Sequence, residues 1–109
     1  MTWPRRRGSK YNATAVTVEG RRFHSKREAA RYGVLRLLEA RGMISALTCQ
    51  VRYPLVVNGE RITTYIADFK YFQDGAWIVE DVKGYRTPEY RLKIKLLKAV
   101  HNVDVVEVR

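Results

Sequence analysis

Cysteine is almost missing: Cys49 is the one thiol in a chain of 109 residues. A lone thiol excludes an internal disulfide and any cysteine-rich zinc site. Acidic side chains are scarce as well, 11 Asp and Glu against 21 Lys and Arg, leaving a formal net charge of +10. An excess of that size points to a polyanionic partner, either nucleic acid or an anionic membrane surface. No uninterrupted apolar run reaches bilayer-spanning length. The segment Met1-Thr2-Trp3-Pro4-Arg5-Arg6-Arg7 has no apolar stretch behind it, so a secretory signal is not expected and the cytoplasm is the expected compartment. No internal repeat or low-complexity tract is visible. With 46% hydrophobic and 29% charged residues, a wholly disordered chain is excluded. The length suits one domain with one modest core.

Residues 1–13 read as a basic, flexible arm in which Arg5, Arg6, Arg7 and Lys10 lie among small polar residues. A single domain is expected over 14–109. Ala15 to Val18 and Arg22 to His24 flank Glu19-Gly20 as a short hairpin. Ser25-Lys26-Arg27-Glu28 is a capping box and opens a helix. In that helix Ala30, Val34, Leu37 and Leu38 fall at helical spacing and predict the buried face, with Gly42 as the stop. Three strand-like runs follow, Leu47 to Val57, Ile62 to Phe72 and Trp77 to Lys83, joined by the hairpin signals Asn58-Gly59 and Asp74-Gly75. Thr87 and Pro88 open a second helix. Its apolar face is Tyr90, Ile94 and Leu97, and its basic stripe is Arg91, Lys95 and Lys98. Asn102 stops that helix, and Val103 to Val108 is a terminal strand. The order after the first hairpin is α-β-β-β-α-β, an α/β pattern.

Turn arithmetic then brings acids together. If Asp74-Gly75 is a two-residue turn, Gln73 pairs with Ala76, and counting outward sets Asp68 opposite Asp81. Directly opposed side chains share a face with Cβ atoms about 5 Å apart. Two carboxylates so placed repel, and a divalent cation with its taste for oxygen ligands would remove the conflict. Lys83, two residues on, points to the same face, and Glu80 to the other. The Asn58-Gly59 turn, counted the same way, puts Cys49 rather than Gln50 opposite Asp68. Cys49 reads as a small buried residue, not a nucleophile, and His24 and His101 as surface or capping residues.

Ile66-Ala67-Asp68-Phe69 followed by Val79-Glu80-Asp81-Val82-Lys83-Gly84 resembles the PD-(D/E)XK nuclease signature. Ala67 stands where the motif's name has Pro, a position without side-chain chemistry. The element order is similar to that superfamily's common core. The stretch from Ser9 to Val108 resembles a family of small phage-encoded proteins assigned to it. More distantly it is similar to phage-type endonuclease I, archaeal-type Holliday junction resolvases and transposon-end-cleaving nucleases. The resemblance implies a restriction-endonuclease-like αβββαβ core, a mixed central sheet flanked by helices. It also implies Asp68, Asp81 and the Val82 carbonyl as metal ligands, with Glu28 completing or supporting the site. Lys83 would orient or help deprotonate the attacking water and stabilise charge on the phosphate. Glu28 has an equally good reading as the acid of its capping box. Gln50 resembles a glutamine common in the phage family, but the turn count keeps it out of the site.

The function expected is Mg²⁺-dependent hydrolysis of DNA phosphodiesters, with Mn²⁺ as a substitute, in phage recombination, repair or DNA processing. Arg86, Arg91, Lys95, Lys98 and the basic arm would grip phosphates. Tyr85 could stack on an exposed base. A homodimer is suggested by analogy with phage-type endonuclease I. Two competitors stand beside this reading: a non-catalytic nucleic-acid-binding module, and a basic subunit of an acidic protein partner.

Overall fold

A computed structural model describes residues 15–83 and 85–109. The expected basic arm, with Arg5, Arg6, Arg7 and Lys10, lies outside the described residues, as does Gly84. Three tight turns organise the strands. In each, both central residues take positive φ: Glu19 and Gly20 at 52° and 77°, Asn58 and Gly59 at 51° and 81°, Asp74 and Gly75 at 51° and 82°. That backbone is the type I′ turn, whose twist matches the strands it joins. The first turn links β1 (Val16–Val18) and β2 (Arg21–Phe23) in a separate two-stranded hairpin. The other two link β3 (Ser45–Val57), β4 (Glu60–Gln73) and β5 (Ala76–Val82). The four-stranded sheet runs β3-β4-β5-β6, with β6 (Val105–Val108) parallel to β5 and the other pairs antiparallel. This is the expected α/β architecture, with β6 starting two residues later than expected. No helix among the described residues is long and apolar enough to cross a membrane.

Helix α1 (Lys26–Ala40) opens as the capping box requires: Ser25 Oγ accepts from the Glu28 N–H at 3.0 Å. It closes with Gly42 at φ 76°, the Gly42 N–H on Glu39 and the Met43 N–H on Leu38, a Schellman motif. Its buried face differs from the expected one. Ala29, Tyr32 and Leu35 are buried with Glu28, while Val34 and Leu37 are 47% and 54% exposed and Ala30 faces solvent. Leu38 alone of the expected set packs against the core. The reason is that the inner face carries partnered polar groups, Glu28 and Arg31, which blur its apolar period. Helix α2 (Pro88–His101) follows its sequence signals. Thr87 Oγ1 accepts from the Tyr90 N–H at 3.1 Å, Asn102 ends the helix at φ 57°, and Tyr90 and Leu97 are buried. Ile94 packs beside them.

The two helices build two clusters. Phe23, Ala29, Tyr32, Leu35, Ile44, Phe69 and Tyr71 pack together under α1. Leu55, Tyr65, Ala67, Val79, Tyr90 and Leu97 pack under α2. β3 gives Leu47 and Cys49 to the first cluster and Val51 and Tyr53 to the second; β4 gives Phe69 and Tyr71 to the first and Tyr65 and Ala67 to the second. Residues two apart on a regular strand share a face. The β3–β4 ribbon therefore changes allegiance between Cys49 and Val51, and between Ala67 and Phe69. Gln50, at φ 54°, and Asp68 occupy that changeover.

Candidate active site

The β4–β5 ladder runs from Gln73 paired with Ala76 to Phe69 paired with Glu80. One step further outward, Asp68 meets Asp81, as the turn count requires. The Asp68 carboxyl lies close enough to act on that of Asp81, and the Val82 N–H donates to Asp68 Oδ2 at 2.9 Å. Asp81 is 1% exposed and Asp68 is half-buried. Burial, and then the neighbouring Asp68, push the Asp81 carboxyl up to about 7. Burial also raises Asp68, against the pull of neighbouring Asp81 and of the Val82 N–H that it accepts. The pair thus holds a proton that two exposed acids would have lost.

Positive charge stands beside it. Lys83 Nζ lies 3.6 Å from Asp81 Oδ2 and 4.5 Å from the centre of the Tyr90 ring. The ring gives the ammonium an apolar, electron-rich seat. Tyr65 donates its hydroxyl to the same Asp81 oxygen, and burial with that bond pushes the phenol above its ordinary range. Tyr65 carried no sequence signal. Regular alternation would set it on the face away from Asp68, and the changeover in the ribbon brings both to Asp81. A cleft of about 290 Å³ opens over this group, lined by Tyr65, Ile66, Asp81, Lys83, Thr87 and Tyr90 among others. Helix α2 begins at its rim.

Glu28 reaches the neighbourhood from α1. It is buried; one oxygen takes the His24 N–H at 3.2 Å, and the other takes Gln50 Nε2 at 2.8 Å. Its negative charge helps raise Asp68. The Glu28 side chain thus ties the residue before its helix's N-cap to Gln50, and its charge reaches Asp68 in the same arrangement. Among the described residues no three His, Cys, Asp or Glu side chains stand close enough together to form a metal cluster. Gln50 corrects the turn count. The register changes between Leu55 paired with Thr63 and Val56 paired with Arg61, so β4 carries one extra residue, Ile62, as a bulge. Cys49 then pairs with Phe69 and Val51 with Ala67, and Gln50, not Cys49, comes level with Asp68. Nothing in the sequence marks that bulge. The Cys49 thiol is half-buried, and burial pushes it up, away from the reactive thiolate.

Glu80 points to the opposite face, as expected. Arg31 grips it with two bonds, Nε to Oε1 at 2.9 Å and NH2 to Oε2 at 2.6 Å, and Tyr71 donates its hydroxyl to Oε2. Of the basic residues assigned to DNA, Arg91, Lys95 and Lys98 all face solvent on α2, Lys98 paired with Asp104 at 2.9 Å. Arg86 pairs with Glu107 at 3.2 Å. Tyr85 is 76% exposed, and Tyr90 belongs to the core. His24 and His101 are exposed, His101 Nε2 sitting 2.7 Å from the Pro54 carbonyl.

The acid pair offers carboxylate oxygens, with the Val82 N–H, the Tyr65 hydroxyl and the Lys83 ammonium around them. A hard divalent cation suits that donor set. In comparisons with known proteins, no curated protein and no solved structure matches. One family model does, described as "Protein of unknown function (DUF1064)", over residues 8–107. That span takes in both helices and all but the final residue of the strands, so the chain belongs to the DUF1064 family.

Proposed function

We propose that this protein is a metal-dependent DNA endonuclease that hydrolyses phosphodiester bonds. The observation that carries the reading is buried Asp81, raised by its neighbour Asp68, in the wall of an open cleft that Lys83 also lines. Asp68, Asp81 and the Val82 carbonyl would hold Mg²⁺, or Mn²⁺ in its place, and Glu28 would support the site from α1. When bound, the cation supplies an acidified water and Lewis-acid stabilisation of the phosphate. The chain supplies the rest. Tyr65 fixes one oxygen of Asp81 and so holds the carboxyl's orientation. Lys83, seated on Tyr90, presents its ammonium where charge builds on a phosphate. Exposed cations on α2 make the rim attractive to a polyanion. A role in phage recombination, repair or DNA processing, a homodimer and a cytoplasmic setting belong to this proposal.

The test is cleavage by the purified full chain across single-stranded, duplex and four-way DNA with Mg²⁺ present. Asp81→Asn and Lys83→Ala should lose cutting and keep DNA binding. Unchanged cutting in both variants would sink the assignment. A non-catalytic nucleic-acid-binding module accounts for the charge but gives the buried acid pair no role. Binding without cleavage over the whole panel, in Mg²⁺ and in Mn²⁺, would select that reading.

A further inference from the structure

A second cavity, of about 220 Å³, opens beside the first and shares Lys83 with it. Its other walls are Tyr85, Arg86, Arg91, Glu107 and Arg109. Four cationic side chains thus meet one carboxylate. That carboxylate is already engaged: Glu107 Oε2 lies 3.2 Å from Arg86 Nε and accepts the Tyr90 hydroxyl at 3.0 Å. Glu107 stands across the β5–β6 ladder from Asp81, so the strand next to the one that carries Asp81 forms a wall of this cavity. Arg91 and Arg109 form no ion pair among the described residues.

Like charges gathered around one hollow repel, and a compact oxyanion relieves them. Guanidinium groups suit phosphate in particular, because their donors form a planar fork that binds two oxygens at once. Arg86 is held in place before any ligand arrives, which lowers the ordering cost of binding. Since Lys83 lines both cavities, a group in the second lies next along a strand from a group in the first.

We propose that this cavity is a phosphate subsite, taking the phosphate adjacent to the one at Asp81 and Lys83. Its place along the strand rests on the nuclease reading; its capacity to bind phosphate does not. The phosphate is either an interior phosphodiester or a terminal phosphomonoester, and one experiment separates these sources.

Short single-stranded oligonucleotides, with and without a terminal phosphate at either end, are titrated against the full chain by fluorescence anisotropy over a salt series. Asp81→Asn serves as the background so that no cutting intervenes. Arg91→Ala with Arg109→Ala should weaken binding about tenfold, and the slope of log affinity against log salt should fall by about 0.7, the value for one single-strand phosphate. Arg22→Ala with Arg61→Ala removes the same charge from exposed sites on β2 and β4 and should leave both quantities unchanged. If the phosphate is terminal, the terminal group should tighten binding in the parent and have no effect in the Arg91/Arg109 variant. If it is interior, the variant should lose affinity equally for all oligonucleotides. An unchanged affinity and slope in that variant, or an equal loss in the Arg22/Arg61 control, would overturn the subsite. Phosphate binding in a chain that never cuts would uphold the subsite and remove the nuclease reading. Cutting with the Arg91/Arg109 variant unaffected would do the reverse.

Discussion

Glu80 and Asp81 are neighbours on one strand, both 1% exposed, and they live in opposite electrostatic worlds. On the α1 side, Glu80 is met by a two-bond guanidinium and a tyrosine hydroxyl. Burial and that bond push Tyr71 up to about 12, so it stays a donor. On the α2 side, Asp81 is met by another acid, a tyrosine hydroxyl, and an ammonium at 3.6 Å. Hydrogen bonding alone does not separate them, since no buried side-chain nitrogen or oxygen lacks a partner among the described residues. Charge balance does. Glu80 is matched on site and serves the fold. Asp81 shares one ammonium with a second acid, and burial and the repulsion between the two carboxyls raise its hold on a proton. One strand thus shows a neutralised acid and an acid crowded by a second one at equal burial.

The comparison can be broken at its structural side first. Arg31→Ala strips Glu80 of its counter-ion and should cost about 3–5 kcal/mol, the usual price of an uncompensated buried charge; chemical denaturation measures it. At the functional side the sign reverses. Asp68→Asn removes the repulsion on Asp81 and should raise stability at pH 8 by about 0.5–2 kcal/mol while abolishing cleavage. If Asp68→Asn destabilised the fold as much as Arg31→Ala, the contrast between the two acids would fail.

The pH profile sharpens the same contrast. An unfolded Asp loses its proton near pH 4, whereas folded Asp81 holds it up to about 7. The folded state binds the extra proton, so this group's contribution is complete below pH 4. It is lost as pH rises to about 7 and is flat above. Melting temperature followed from pH 4 to 8 should fall more in the wild type than in Asp81→Asn, and equal slopes would assign the effect elsewhere. The smallest effect concerns Gln50. Its φ of 54° is strained for any residue but glycine, so Gln50→Gly should be more stable than Gln50→Ala by about 1 kcal/mol. Both lose the bond to Glu28, so comparing their unfolding midpoints isolates the backbone.

Much of this arrangement was legible in the sequence because short-range rules set it. Asp74-Gly75 dictated a I′ turn, and the turn dictated that Asp68 meet Asp81. Ser25, Thr87 and Asn102 marked the helix ends where the backbone places them. Two things escaped, both for long-range reasons. The inner face of α1 holds Glu28 and Arg31, whose partners lie on other elements, Arg31 bonding Glu80 far along the chain. Apolar spacing therefore favoured Ala30, Val34 and Leu37 on the outside. Gln50 and Tyr65 joined the site through a bulge and a changeover in the β3–β4 ribbon, neither of which has a local signature.

That bulge makes the site's composition a matter of counting. Ile62 is the one residue that separates the register expected from the register found. Shorten the chain there by one, and Cys49 slides to the level of Asp68 in place of Gln50. A thiol would replace an amide beside two carboxylates, adding a soft donor to a face that now offers only oxygen and nitrogen groups. The chemistry of this face is thus addressed partly by side-chain identity and partly by one bulged residue farther along β4.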